Sequence, residues 1–271
     1  MRRTLLWVVA LAVTVASAAW QRWTGPTYPV AVSAAVGATV VKGRLERSHG
    51  GPGDQPVRLQ VGDGDVSGEV AWRRYPTAEP WTVQPLTRAG EWLEGVLPHQ
   101  PPAGKLEYQV RLGSSGKQVV VPERPAVTRF KGEVAAAVLI PHIFAMFLGM
   151  LWSSRAGLEA LRRDGLPGRF AAFTLGTIIV GGFVFGPLVQ KAAFGSYWTG
   201  VPFGWDLTDN KTLLAGLAWA WALWRARRDP ADRLGGLIAA LVTLGVFAIP
   251  HSAWGSQVDW AALPAVGVQP G

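Results

Sequence analysis

Five blocks of nearly unbroken apolar residues punctuate the chain, and between the first two lies a long stretch in which apolar and polar positions alternate. The blocks are Leu5 to Ala19, Val134 to Trp152, Phe170 to Val189, Leu213 to Trp224 and Leu234 to Ile249. Several approach the roughly 20 residues needed to cross about 30 Å of hydrocarbon, so they predict membrane helices. The alternating stretch, residues 25–130, contains Val57-Arg58-Leu59-Gln60-Val61, Gly68-Glu69-Val70-Ala71-Trp72 and Leu106-Glu107-Tyr108-Gln109-Val110-Arg111-Leu112. Period two bounded by Gly and Pro is the strand signal, and several short strands in one segment predict a β-sandwich. The expected fold is a membrane α-helical bundle of four helices plus an N-terminal signal or anchor helix, carrying an exported all-β sandwich domain.

Charge gives this pattern a direction. The 271 residues carry a net charge of +8. Much of the excess lies in two short connections, Ser153 to Arg169 (Arg155, Arg162, Arg163, Arg169) and Arg225 to Arg233 (Arg225, Arg227, Arg228, Arg233). Basic residues in short loops mark the cytoplasmic side, so the charge is a topology signal and not a nucleic-acid surface. The expected location is a bacterial-type inner membrane, multi-pass. The β domain, a loop at 190–212 between helices of the 134–254 bundle, and a tail at 255–271 would all lie on the outer, periplasmic face. Residues 1–20 open with Met-Arg-Arg and reach Ala16-Ser17-Ala18, which suits signal peptidase; an uncleaved anchor with Trp20 and Trp23 at the interface fits equally.

Chemistry is confined to few side chains. There is no cysteine, which excludes disulfides, thiolate metal sites and covalently attached c-type haem. Of four histidines, His49 and His99 fall in Gly- and Pro-rich loops of the β region and read as solvated. His142 falls inside the second apolar block and His251 at the outer end of the last. Both follow the same dipeptide, in "LIPHIF" and "AIPHSAW", and each proline is able to kink a helix and free a carbonyl. At about 1.5 Å per residue His142 sits roughly 12 Å from the outer start of its helix, a depth similar to that of His251.

An ionisable group in a membrane helix is a functional candidate by default. Zinc or copper normally takes three or four ligands, and carboxylates are missing from the outer halves of these helices, whereas haem iron needs two axial ligands only. His142 and His251 are therefore the expected metal ligands of a haem b, with Met146, one turn from His142, as an alternative ligand. A neutral imidazole bonded to a freed carbonyl or to Ser252 is the other reading of the same pattern. Gly149, Gly176, Gly181, Gly182 and Gly186 would let a flat ligand or another helix come close.

The outer loop reads "AFGSYWTGVPFGWDLTDNKT". Gly195, Gly200, Pro202 and Gly204 predict turns, and Tyr197, Trp198 and Trp205 are rings of the interfacial kind. Thr208 or Asp209 would cap a helix beginning near Lys211. Asp206, Asp209 and Asn210 also place three oxygen-bearing side chains close together, enough to suggest Ca²⁺, or a salt bridge to Lys191 or Lys211. The segment resembles the tryptophan-rich (WWD-type) stretch of the haem-handling membrane proteins of cytochrome c biogenesis, whose pattern is close to Trp-Gly-x-Tyr-Trp-x-Trp-Asp. Gly195, Tyr197, Trp198, Trp205 and Asp206 match it. Phe194 stands for the leading tryptophan, and Thr199 to Gly204 separate the two halves. The resemblance implies that Tyr197, Trp198, Trp205 and Asp206 cradle haem while His142 and His251 bind its iron.

Residues 71–113 resemble the middle of a fibronectin type III or immunoglobulin-like module, which implies Trp72 and Trp81 in its core and Tyr108 at a usual aromatic position. No catalytic constellation lies there, and whether the protein is an enzyme stays open. Two functions are expected: binding of haem b near the outer face for haem handling or electron transfer, in contact with membrane lipid; or, alternatively, a non-enzymatic envelope assembly or scaffold subunit that binds another envelope protein through residues 25–130.

Overall fold

The computed structural model describes residues 3–114, 116–251, 258 and 260. The chain forms two compact units, residues 1–26 with 134–256, and residues 27–133 with 257–271.

The first unit is helical: α1 (Arg3–Thr24), α2 (Ala136–Ala160), α3 (Gly168–Ile178), a π-helical segment (Ile179–Phe185), α4 (Gly186–Phe194), α5 (Leu207–Arg228) and α6 (Leu234–Ala248). Three continuous rods, Arg3–Thr24, Ala136–Ala160 and Gly168–Phe194, are long and apolar enough to cross a membrane. α6 has 15 residues, about 22 Å at 1.5 Å per residue, less than the hydrocarbon thickness of about 30 Å. α5 is 22 residues long but carries Asp209 and Lys211 near its start and Arg225, Arg227 and Arg228 in its last turn. Length and composition therefore mark α1, α2 and the α3–α4 rod as spans, fewer than the five helices expected.

The π segment has a local cause. Pro187 has no N–H, so the carbonyl of Phe183 lacks its usual donor, and the wider spacing ends with the Gly186 N–H reaching Gly181 O. Gly181 and Gly182 are buried in it. The core of this unit is built from Ile178, Trp219, Ala215, Ala222, Ala239 and Val246, and the fully buried Trp219 donates Nε1–H to Thr243 Oγ1 at 2.8 Å. Arg155, expected in a cytoplasmic loop, lies inside α2 instead. Its guanidinium is held by Glu159 and lies over the rings of Trp7 and Phe170.

The second unit is all β: β1 (Val30–Val36), β2 (Thr39–Leu45), β3 (Ser48–Gly50), β4 (Gln55–Gln60), β5 (Ser67–Arg74), β6 (Thr82–Pro85), β7 (Thr87–Ala89), β8 (Trp92–Leu97), β9 (Lys105–Ser114) and β10 (Lys117–Lys131). They make two five-stranded sheets, ordered β1-β2-β4-β8-β7 and β3-β10-β9-β5-β6, in which β3 runs parallel to β10 and the other pairs are antiparallel. Alternate residues of both sheets, such as Val41, Leu59, Leu93, Val70, Leu106 and Val110, enter one core, as the period-two pattern requires.

The largest core side chains are Tyr108 and Phe130. Burial pushes the Tyr108 hydroxyl well above its ordinary pKa, and it donates to Glu46 O at 2.6 Å. Trp72 packs against the core only in part, and Trp81 lies outside it, under the Arg73 guanidinium at 4.6 Å. Trp81 stands just before β6, an edge strand. Of the tail expected at 255–271, only Val258 and Trp260 are among the described residues. Trp260 donates Nε1–H to Tyr75 O at 2.9 Å and sits beneath Arg74.

Candidate functional site

α2 brings three potential ligands to one face. His142, Met146 and Met150 follow each other at intervals of four residues, the spacing that stacks side chains along a helix. All three line a cavity of about 270 Å³ inside the helical unit, and His251 lines the same cavity. Apart from the initiator, these two are the chain's only methionines. The remaining wall comes from Thr14, Ser17, Ala18 and Gln21 of α1, Val189 of α4 and Phe247 of α6, with Leu139, Ile143 and Phe147 completing α2.

His142 is oriented from behind. Its Nδ1 lies 2.8 Å from Gly181 O, and because a carbonyl only accepts, Nδ1 carries the proton. In the neutral imidazole Nε2 then keeps a lone pair, the state in which histidine binds a metal or accepts a hydrogen bond. The same Gly181 oxygen accepts from Gly186 N–H, which uses both of its lone pairs. Glycine is needed at position 181: a Cβ there would lie 2.9 Å from Met146 Sδ and 3.0 Å from the Ala145 Cβ. Pro141 is accommodated within α2.

His251 follows Ile249 and Pro250 beyond the end of α6 rather than lying within a helix reaching Trp254. Ile249 turns extended, with φ −80° and ψ 121°. That is the conformation a residue before proline prefers. Ser252, the expected partner of a histidine, and Trp254 lie outside the described residues.

The aromatic loop is not part of this cavity wall. Asp206 is the N-cap of α5, taking Thr208 N–H at 2.8 Å and Asp209 N–H at 3.4 Å, so the helix begins at Leu207 and not near Lys211. Trp198 stacks on Phe183 and donates to Val201 O at 3.1 Å. Tyr197, with Lys191 above its ring, is 56% exposed, and Trp205 is 87% exposed. Sequence reasoning grouped all six residues; the fold puts the two histidines on one cavity and leaves the four loop residues off it.

The suggested cation cluster also has another use. Asp209 accepts from Thr199 N at 2.6 Å, Gly200 N at 3.0 Å, Gln190 Nε2 at 3.1 Å and Thr199 Oγ1 at 3.3 Å. Asn210 Oδ1 accepts from Val201 N at 2.8 Å. With Asp206 capping, the three oxygens hold the loop to α5, and no group of three His, Cys, Asp or Glu able to hold a metal occurs among the described residues. Lys191 and Lys211 direct their ammoniums at backbone carbonyls, of Gly195 and of Ile249 and Pro250.

Several contributors escaped the sequence. The Gly181 carbonyl as the His142 partner, Met150 and the polar wall of α1 carry weak signals at best: the four-residue spacing for Met150, and Thr14, Ser17 and Gln21 falling on one helix face of an apolar segment. No protein-family model matches the chain, and no curated protein matches it.

Proposed function

We propose that the protein is a multi-pass membrane protein that binds haem b through His142 and His251, for haem handling or electron transfer. One observation carries this: the Nδ1–H of His142 is fixed on Gly181 O, leaving Nε2 basic on a residue that shares a cavity with the second histidine. Among the described residues the donor set contains no carboxylate or thiolate, which suits an iron whose other four ligands a macrocycle provides. The volume of about 270 Å³ falls just under the roughly 300–1,000 Å³ usual for ligand pockets, so the donors, not the size, support the reading.

When bound, the haem would supply one-electron chemistry. The chain's own part is to hold two neutral imidazoles, to exclude water with Leu139, Ile143, Phe147 and Phe247, and to offer hydrogen bonds from the α1 wall. The tryptophan-rich loop keeps its resemblance to the cytochrome c biogenesis segment, but in this reading it is an outer-face element separate from the ligands.

The same reading places all five helices in a bacterial-type inner membrane, α5 and α6 completing the bundle, with the basic ends cytoplasmic. The β unit, an immunoglobulin-like sandwich, would lie in the periplasm. The test is an optical spectrum, oxidised and reduced, of protein purified from haem-replete membranes. A Soret band lost in His142→Ala is expected. A colourless wild type would leave the scaffold role of residues 25–130 as the better account.

A further inference from the structure

We propose that α1 is a permanent wall of the bundle, and that Trp20 and Gln21 on it, together with Lys211 on α5, are positioning residues that hold the Ile249–His251 turn against the cavity. The spectral part of this rests on the haem reading; the retention of α1 does not.

A helix ends with carbonyls that have no partner within it, and in a membrane no water is at hand to take them. α6 ends at Ala248 because Pro250 has no N–H to continue the ladder. The four consecutive carbonyls from Phe247 to Pro250, the last two of α6 and the two beyond it, are each taken by a side chain from another helix. Gln21 Nε2 donates to Phe247 O, and Trp20 Nε1 to Ala248 O at 2.9 Å. Lys211 Nζ donates to Ile249 O at 2.6 Å and to Pro250 O at 3.4 Å. The next residue is His251.

Ordinary capping would end this helix with a local glycine, as Gly195 does for α4, with φ 89° and its N–H on Lys191 O. Here the donors come from far along the chain, and two of them sit on the helix that also walls the cavity with Thr14, Ser17 and Ala18. That helix is held along its length. Leu6, Ala10 and Thr14 are buried at four-residue intervals, and Trp7 meets Trp152 and Phe170 edge-on at 5.1 Å and 5.8 Å. The Ala16-Ser17-Ala18 pattern lies within a continuous helix, and cutting there would remove Leu6, Trp7, Ala10 and Thr14, which hold α1 in the bundle, and leave Trp20 and Gln21 on an unanchored end.

The experiment uses the full chain from membranes in detergent. Intact mass should be that of the whole chain, 29.0 kDa. A mature protein beginning at or near Ala19 overturns the retention of α1. The clamp is read by NMR of ring-labelled histidine, since the chain has only four. Lys211→Met should move or broaden the His251 signal and leave those of His49 and His99 in place; Lys211→Arg should restore it, and Trp20→Phe with Gln21→Met should reproduce the change. In the haem-loaded form the same variants should shift the Soret band relative to the wild type. Lower thermal stability with an unchanged His251 signal overturns the positioning role. A wild type without a Soret band defeats the haem reading alone, because mass and histidine signals still decide the clamp.

Discussion

The two histidine pairs, one in each unit, use the same side chain to opposite ends. In the β unit His49 Nε2 and His99 Nδ1 both reach the carbonyl of Gly53, at 3.2 Å and 2.9 Å, and both rings stand edge-on to Phe130. His99 is an exposed loop residue, as expected, whereas His49 lies half-buried in β3, and the pair ties down the 51–53 turn. His142 also gives one nitrogen to a carbonyl, but its residue faces a cavity shared with His251, Met146 and Met150. Under the haem proposal, what would separate a strut from a ligand is not the imidazole or its first hydrogen bond. It is what surrounds the second nitrogen.

The sharpest break of this comparison is spectral. His142→Ala or His251→Ala should abolish the Soret band, and His49→Ala and His99→Ala should leave it within error; loss in the β-unit variants would erase the distinction. Next in size, Asp209→Ala removes a buried acceptor from four donors and should cost about 2–4 kcal/mol, read as a lower melting midpoint and rapid proteolysis of the 195–206 loop. Pigment should survive this variant, and bleaching would return the loop to the site.

Gly181→Ala should cost about 1–3 kcal/mol, because its Cβ would press on Met146 and Ala145. At Gly176 nothing lies within 4 Å, so Gly176→Ala should instead stabilise by about 0.5–1 kcal/mol, the usual gain inside a helix. Thermal melts of the pair measure whether close approach at the π segment matters. Smallest of all, His99→Ala should cost about 0.5–1.5 kcal/mol through its bond to Gly53 O, visible in the same melts.

Much of the architecture was legible beforehand, since burial in hydrocarbon and in a β core leaves coarse patterns. The apolar blocks became α1, α2, the α3–α4 rod, α5 and α6, and the three alternating runs became β4, β5 and β9. The histidine pair was legible from scarcity and from the repeated Ile-Pro-His. The rest depended on where side chains end up after packing. Nothing in the alternation told that Trp81 would lie under an arginine, or that Tyr108 would be swallowed whole. The π segment needed the coincidence of Pro187 with glycines at 181 and 182. That the aromatic loop does not line the cavity was not legible, because ring-rich composition says what a segment could stack on and not which way it faces.

That loop contains a separation of frame from display. Asp209, with Asn210 beside it, holds its path from within, while Phe203 and Trp205 stand 82% and 87% exposed. Rings that carry no weight in the shape of their own support are free to be exchanged, much as lettering is changed on a fixed sign. Diversity among natural variants should therefore gather at positions 203 and 205, with the aspartate beneath them left alone.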